Sequence, residues 1–287
     1  PSPILPPAGA TLEGPSSFTF AVMGDTRGNM SAFEAALKGA RKHGAKLILH
    51  TGDIVQRLTP RQHSWLVHEL NEAQVDVPFC VVPGNHDVLP EDGERKPYAL
   101  YHGAFGSARY WFGYADTLFV GFDSSSEKAR QEDLKWLEDV LREHRSEFET
   151  CVFFTHVPPK DPRPHEDRQI GGDRSRLVAI LQEYDVTAVF AGHHHRPARG
   201  TVGGIPIYIH GGAGEELESP AEVHNFFVCT VTPGGEVVVR RQRVGRVENE
   251  DYLEYAFWAK LPVGVLKFAG MFLLTAGVFL TWRHFFA

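Results

Sequence analysis

Short apolar runs alternate with segments of helical periodicity in the first two thirds of the chain. Runs that predict buried strands, several of them ending in Gly-Asp or Gly-His, lie at 18–25, 46–53, 77–87, 151–156 and 187–193. Between the first two runs, Phe33, Ala36, Leu37 and Ala40 recur at helical spacing, and Leu134, Leu137 and Leu141 mark a helix over Gln131–Arg145. A further helix is indicated by Leu66, Leu70 and Ala73. Such alternation favours parallel strands joined by helices.

The pattern changes to neighbouring strands later in the chain. A two-residue turn separates the runs at 109–114 and 117–124, which predicts an antiparallel hairpin. Further strands are indicated at 205–212, 224–231 and 236–244. We therefore predict an α/β fold with two mixed β-sheets packed as a sandwich and flanked by helices, in one domain over 18–245.

The two ends differ from this central part. Residues 1–17 are rich in Pro, Gly and Ser without a hydrophobic period, which is typical of a flexible leader. After a connector at 246–260, residues 261–287 are strongly apolar and carry a helix-length run with one lysine, Lys267. We predict a C-terminal membrane-anchor helix there, with the side of the membrane open. A buried helix, or one lying in the membrane plane, is the alternative.

Composition narrows the function classes. Hydrophobic residues make up 43% of the chain and charged residues 23%, as in a globular protein with a real core. The formal net charge of −7 makes a general nucleic-acid binder unexpected. The three cysteines form no CxxC pair, which argues against a disulfide framework. Histidine is unusually frequent, with 15 copies.

Residue types that can ligate a metal follow the ends of five predicted strands: Asp25, Asp53, the run Asn85-His86-Asp87, His156, and the run His193-His194-His195. A single Gly-Asp after a strand is usually a turn or a helix cap. Five such strand ends in succession are better explained by one site, because an open α/β sheet places its site at the carboxyl ends of its strands. Carboxylate, amide and imidazole ligands without a thiolate suit Mn, Fe, Zn or Co and do not suit Ca.

The motifs GD25, GD53, GNHD (84–87), His156 and GHHH (192–195) closely resemble those of the calcineurin-like metallophosphoesterase superfamily, including purple acid phosphatase-like and nucleotide- or lipid-pyrophosphatase-like members. The resemblance spans roughly 18–245 and implies the metallophosphoesterase fold with two transition-metal ions (Mn, Fe or Zn). It implies that Asp53 bridges the ions and that a bridging hydroxide attacks phosphorus. The implied ligands are Asp25 and His195 for the first ion, and Asn85, His156 and His193 for the second. It also implies that His86 either stabilises charge or protonates the leaving oxygen, and that Asp87 orients the His86 imidazole.

Arg27 is a departure from that pattern. Many members of the family have a histidine ligand there, and a guanidinium cannot ligate a cation. Purple acid phosphatases use a tyrosine three residues beyond the second Asp, where this chain has Gln56. Either Gln56 or water fills this position, or the first ion binds weakly. Arg27 is also a candidate for binding a substrate phosphate, and the simpler alternative is a surface arginine paired with a helix-cap carboxylate.

Two neighbouring features bear on the substrate. His194 lies between two predicted ligands and either reaches the leaving group, as a substrate-binding residue, or only fills its loop. The polar segment 158–172 follows His156 and is either a specificity lid or a solvated connection. His210 ends another strand, and we expect it near the site without being a ligand.

The sequence thus favours a dinuclear metal-dependent phosphohydrolase acting on a phosphoester or a pyrophosphate. If the C-terminal segment is an anchor, the protein is membrane-associated and a lipid-linked substrate becomes attractive. The alternative is a metal-binding scaffold or phosphoprotein-binding protein whose weakened first metal position has cost it catalysis. Arg27 favours that alternative, and the intact Asn85-His86-Asp87 run opposes it.

Overall fold

The computed structural model describes residues 8–27, 29–56, 59, 62, 66, 68, 70, 71, 75–88, 98–164, 167–214 and 223–244. The strands are β1 (Thr11–Leu12), β2 (Phe18–Met23), β3 (Ile48–His50), β4 (Phe79–Val81), β5 (Tyr110–Tyr114), β6 (Thr117–Phe122), β7 (Lys128–Ala129), β8 (Thr150–Thr155), β9 (Gly171–Gly172), β10 (Ala188–Ala191), β11 (Ala198–Val202), β12 (Ile205–Ile209), β13 (Asn225–Val231) and β14 (Val237–Arg243). The helices are α1 (Met30–Lys42), α2 (Tyr98–Phe105), α3 (Gln131–His144) and α4 (Arg174–Glu183). The connector at 246–260 and the predicted anchor at 261–287 lie outside the described residues.

Two large sheets form the framework. One has seven strands in the order β1-β5-β6-β8-β10-β12-β11, and the other has five in the order β14-β13-β2-β3-β4. β2, β3 and β4 run parallel in the five-stranded sheet, and β6, β8, β10 and β12 run parallel in the seven-stranded sheet. β5 and β6 pair antiparallel with Tyr114 opposite Thr117, which confirms the predicted hairpin.

The sheets pack face to face through aromatic side chains. The ring of Phe20 on β2 lies 5.4 Å from that of Phe119 on β6 and 5.9 Å from that of Phe190 on β10, measured between centroids. The outer face of the five-stranded sheet is covered by α1 and α2, and that of the seven-stranded sheet by α3 and α4. The predicted sandwich flanked by helices is therefore confirmed.

Local signals place the helices. Asn29 caps α1 by accepting from the main-chain N–H of Ala32, and Asp173 caps α4 by accepting from that of Arg176. α3 buries Leu134, Leu137 and Leu141 on one face, as its periodicity predicts. Of the helix expected around Leu66–Ala73, residues 66, 68, 70 and 71 are described, and they are helical.

Part of the predicted leader belongs to the fold. Thr11–Leu12 is a short strand that pairs parallel with β5, with Thr11 opposite Gly113. The main-chain N–H of Gly9 also donates to the carbonyl of Trp111. At these residues the structure differs from the expected flexible leader, because they pair with the edge strand β5.

The three cysteines are unpaired and buried, as the odd count indicates. Within the part of the chain that the structure describes, no helix combines the length and apolar character needed to cross a bilayer.

Candidate functional site

The predicted site residues converge at one edge of the sandwich, where the carboxyl ends of parallel strands from both sheets meet. Asp25, Asp53 and Asn85 follow β2, β3 and β4 of the five-stranded sheet. His156 follows β8 and His193–His195 follow β10 of the seven-stranded sheet. Residues separated by up to 170 positions thus line a single site.

Asp25, Asp53 and His195 form the first group of potential ligands. One ligand atom from each of these residues lies within 4.8 Å of the others. The Nε2 atom of His195 is 3.7 Å from Oδ1 of Asp25, and it is buried without a hydrogen-bond partner among the described residues. A buried nitrogen aimed at carboxylates in this way fits a shared cation.

The second group is arranged around His156. Its Nδ1 lies 3.0 Å from the carbonyl oxygen of Thr51, to which only a protonated nitrogen can donate. Burial holds the pKa of His156 well below its ordinary value, so the ring is neutral and Nε2 carries a lone pair. That Nε2 lies 3.0 Å from Oδ1 of Asn85, 3.2 Å from Nδ1 of His193 and 3.6 Å from Oδ1 of Asp53. Electron-pair donors that converge in this way fit a second cation, with Asp53 common to both groups.

Burial keeps the histidines around the site neutral. It lowers the pKa of His193 to about 3 and that of His195 to about 4, below the ordinary 6.5. The same desolvation depresses the pKa values of six histidines in all, which we call the six low-pKa histidines: His50, His156, His193, His194, His195 and His210. Neutral imidazoles are the form that ligates metals.

The backbone is strained where it presents these groups. Asp25, Asp53, His193 and His195 have positive φ angles of 51°, 53°, 71° and 51°. Such left-handed conformations cost non-glycine residues about 1–3 kcal/mol each and are concentrated at functional sites. Hydrogen bonds hold two of these residues in place. The N–H of Asp25 donates to the carbonyl of Gly52, and the N–H of His193 donates to Oδ2 of Asp25.

Glycines directly before the site residues permit the close approach of these loops. A Cβ atom on Gly84 would lie 2.7 Å from Cγ of Asp53. One on Gly192 would lie 2.9 Å from Oγ1 of Thr51 and against Oδ2 of Asp25. The repeated Gly before Asp, Asn or His in the sequence is therefore a packing requirement of the site.

His86 and Asp87 are both close to the site but do not form the expected pair. Oδ1 of Asp87 accepts from the main-chain N–H groups of Ile54 and Val55 at 3.0 and 3.4 Å, and Oδ2 accepts from that of Gly84 at 2.9 Å. The expectation that Asp87 orients the His86 imidazole is wrong, because its carboxylate is buried under the loop and braces the backbone. Nδ1 of His86 instead lies 3.2 Å from the carbonyl oxygen of Gln56.

Arg27 lies beside the shared carboxylate. Its Nε donates to Oδ2 of Asp53 at 3.2 Å, and 18% of its side chain is exposed. Gln56 is exposed, and its main chain, rather than its side chain, contacts His86. Arg27 thus pairs with a carboxylate, but with Asp53 of the site and not with the helix-cap carboxylate of the simpler alternative.

His194 contacts the polar segment that follows His156. It is fully buried, its Nδ1 lies 3.2 Å from Oδ2 of Asp161, and it contacts Arg163. It therefore packs inside its loop and holds the loop in place through these contacts. Its position does not support the expectation that it binds substrate. Asp161 and Arg163 belong to the polar segment after His156, which is held against the 193–195 loop by these contacts.

Sequence reasoning missed the supporting role of Thr51. The Gly212 N–H donates to Nδ1 of His210, so Nε2 of His210 carries the proton and donates to Oγ1 of Thr51 at 2.6 Å. His210 lies 3.7 Å from Oδ2 of Asp25, close to the site as expected. No sequence signal distinguishes Thr51 from an ordinary residue between a strand and a Gly-Asp turn.

Comparisons with known proteins agree with this geometry. The model of the calcineurin-like phosphoesterase family matches residues 18–197. A probable glycerophosphodiester phosphodiesterase GpdQ of Arcobacter nitrofigilis is 30% identical over 169 residues, which cover 52% of this chain and 56% of that protein. The serine/threonine-protein phosphatase CPPED1 of Bos taurus is 27% identical over 206 residues, which cover 65% and 64%.

A solved structure supports the fold. The purple acid phosphatase PPD1 from seeds of yellow lupin (Lupinus luteus) superposes with a TM-score of 0.64 at 14% identity, covering 85% of this chain and 54% of that one. The matched part of this chain spans 56% of the length of the first curated relative and 64% of the length of the second.

Proposed function

Because the chain belongs to the calcineurin-like phosphoesterase family, we propose that it is a dinuclear metal-dependent hydrolase of phosphoester or pyrophosphate bonds. The observation that carries the proposal is the convergence of two donor groups that share Asp53. The names of the relatives, a phosphodiesterase and a protein phosphatase, support phosphoester chemistry without selecting between a diester and a monoester.

In this proposal the donor residues are divided between two ions. Asp25, Asp53 and His195 would hold the first, and Asp53, Asn85, His156 and His193 would hold the second. Mixed oxygen and nitrogen donors suit Mn, Fe or Zn. When bound, such ions supply an activated water and neutralise the charge of the phosphoryl oxygens.

His86 and Arg27 act on the substrate in this proposal. Nδ1 of His86 donates to the Gln56 carbonyl, so Nε2 delivers a proton to the leaving oxygen only from the imidazolium form of the ring. Arg27 lies at the rim of the site with part of its side chain exposed, in position to contact a phosphate oxygen. We also propose, from the apolar sequence at 261–287 alone, that the protein associates with a membrane and acts on a lipid-linked substrate.

The test is hydrolysis of bis-p-nitrophenyl phosphate and of p-nitrophenyl phosphate by the full chain, stripped of metal and then supplied with Mn, Zn or Fe singly. We expect metal to restore turnover, and His193→Ala to lower it at least about 100-fold, since His193 contributes to the second group. His102→Ala is the matched control, because His102 is an exposed histidine on α2 whose Nδ1 contacts the carbonyl of Gly106.

The second candidate is a metal-binding scaffold or phosphoprotein-binding protein, which the ion pair between Arg27 and Asp53 favours. Absence of turnover with every metal, in protein shown to be folded by circular dichroism, would overturn the hydrolase and leave that candidate. The diester-to-monoester preference of an active protein would narrow the substrate class.

A further inference from the structure

The two donor groups are unequal in number. The first offers three residues, Asp25, Asp53 and His195. The second offers four, because Asn85, His156 and His193 surround the same Asp53. More donors at fixed positions favour tighter binding of a cation, other things being equal.

Arg27 acts on the carboxylate that both groups share. Asp25 gives the first group a second carboxylate, which by itself would favour a cation there. The guanidinium of Arg27, 3.2 Å from Oδ2 of the shared Asp53, opposes a cation in either group with one positive charge. The Nε–H of Arg27 also occupies a lone pair of Oδ2 of Asp53. The other oxygen of this carboxylate, Oδ1, is the one that faces His156.

The position of Arg27 is fixed by the fold. Its main-chain N–H donates to the carbonyl of Asp53 at 3.0 Å, and its φ angle is 40°. Asp53 itself is fully buried, so solvent screens the contact with Arg27 only weakly. The arginine is therefore held beside the shared carboxylate, at a fixed place relative to the first group.

We infer that Arg27 makes the two metal positions unequal, so that the second group binds its ion tightly and the first group binds its ion weakly and reversibly. This inference rests on the proposed function, since it concerns the same donor groups. It deepens that proposal, because occupancy of the first position then depends on the metal concentration. Arg27 is a positioning residue that acts through Asp53.

The test is isothermal titration of the metal-free full chain with Mn²⁺, which measures binding without any substrate. We expect two steps that differ at least about tenfold in dissociation constant. Arg27→Gln removes the charge and the Nε–H and should tighten the weaker step about tenfold, with a smaller effect on the tighter step, because Asp53 is common to both groups. Arg27→Lys keeps a positive charge and should leave the weaker step weak.

Two further variants assign the steps. His195→Ala should remove the weaker step, because His195 belongs only to the first group. Asn85→Ala should weaken the tighter step, because Asn85 belongs only to the second. Arg199→Gln is the matched control for loss of an arginine, since the Arg199 guanidinium lies over the ring of Tyr208, 5.3 Å from its centroid.

The outcomes separate this inference from the proposed function. Two steps of equal affinity, or a weaker step that Arg27→Gln leaves unchanged, would overturn the inference while leaving the hydrolase intact. Unequal steps that respond to Arg27→Gln in a protein without turnover would support the inference and reject the hydrolase. No binding of Mn²⁺ at all would overturn both.

Discussion

Gly84, directly before Asn85, is a position where one methyl group should disable the site. A Cβ atom there would lie 2.7 Å from Cγ of Asp53 and closer still to its Oδ1 and main-chain nitrogen. All of these atoms are buried and held in place. Oδ1 accepts from the main-chain N–H of His86, and Oδ2 accepts from Arg27. The carboxylate therefore cannot turn aside without breaking a hydrogen bond.

The size of the effect follows from that distance. Ordinary van der Waals contacts of a Cβ begin near 3.4 Å, so in Gly84→Ala Cγ of Asp53 must retreat by about 0.7 Å, and its Oδ1 and main-chain nitrogen, which lie nearer, by more. Asp53 is common to both donor groups, and both lose its alignment. Overpacking of a buried position costs about 1–3 kcal/mol of stability. Displacement of a positioned group by about 1 Å lowers rates about 100-fold.

The assay compares Mn²⁺ affinity, turnover of p-nitrophenyl esters, and urea unfolding between Gly84→Ala and the unchanged protein. Gly234→Ala is the matched control, because a Cβ atom there would meet open space and the residue does not have a left-handed backbone. We expect about a 100-fold loss of turnover and at least tenfold weaker Mn²⁺ binding in Gly84→Ala only. Turnover and affinity within threefold of the unchanged protein would refute the reasoning.

The remaining predictions concern buried polar groups. In the metal-free protein, the six low-pKa histidines contribute stability that is present above their ordinary pKa of 6.5 and is lost as the pH falls toward 4. Burial and the nearby Asp53 raise the pKa of Asp87 from 3.8 to about 8, so the stability that this group contributes is lost progressively as the pH rises from 3.8 to about 8. We therefore expect the urea midpoint to peak near pH 6.5, with Asp87→Asn removing the alkaline decline; a flat profile between pH 4 and 6.5 would contradict this. Thr51→Val should lower the free energy of unfolding by about 1–3 kcal/mol, because it leaves the buried Nε2–H of His210 without its acceptor. Thr51→Ser should retain most of that stability, and equal unfolding midpoints for both variants would show that the hydrogen bond contributes nothing.

Local pattern was sufficient for most of the fold. Apolar runs and helical periodicity predicted β2, the β5–β6 hairpin, α1 and α3, since each buries a face that its own residues define. α4 was missed although Asp173 gives it a capping residue and Leu177, Ile180 and Leu181 give it a buried face. β1 and β11 could not be predicted in this way. Each is a short edge strand, stabilised by pairing with β5 or β12 rather than by a pattern of its own.

The sequence by itself determined which residues reach the site. A ligand type placed directly after a strand, with a glycine before it at Asp25, Asp53, Asn85 and His193, must emerge at the carboxyl edge of the sheets. Only the tertiary structure decided where each side chain points. Asp87 turns under its loop toward main-chain N–H groups, His194 turns toward Asp161, and Arg27 meets Asp53. Spacing along the chain fixes the position of a residue, whereas its direction depends on φ, ψ and on partners from distant segments, which no local pattern encodes.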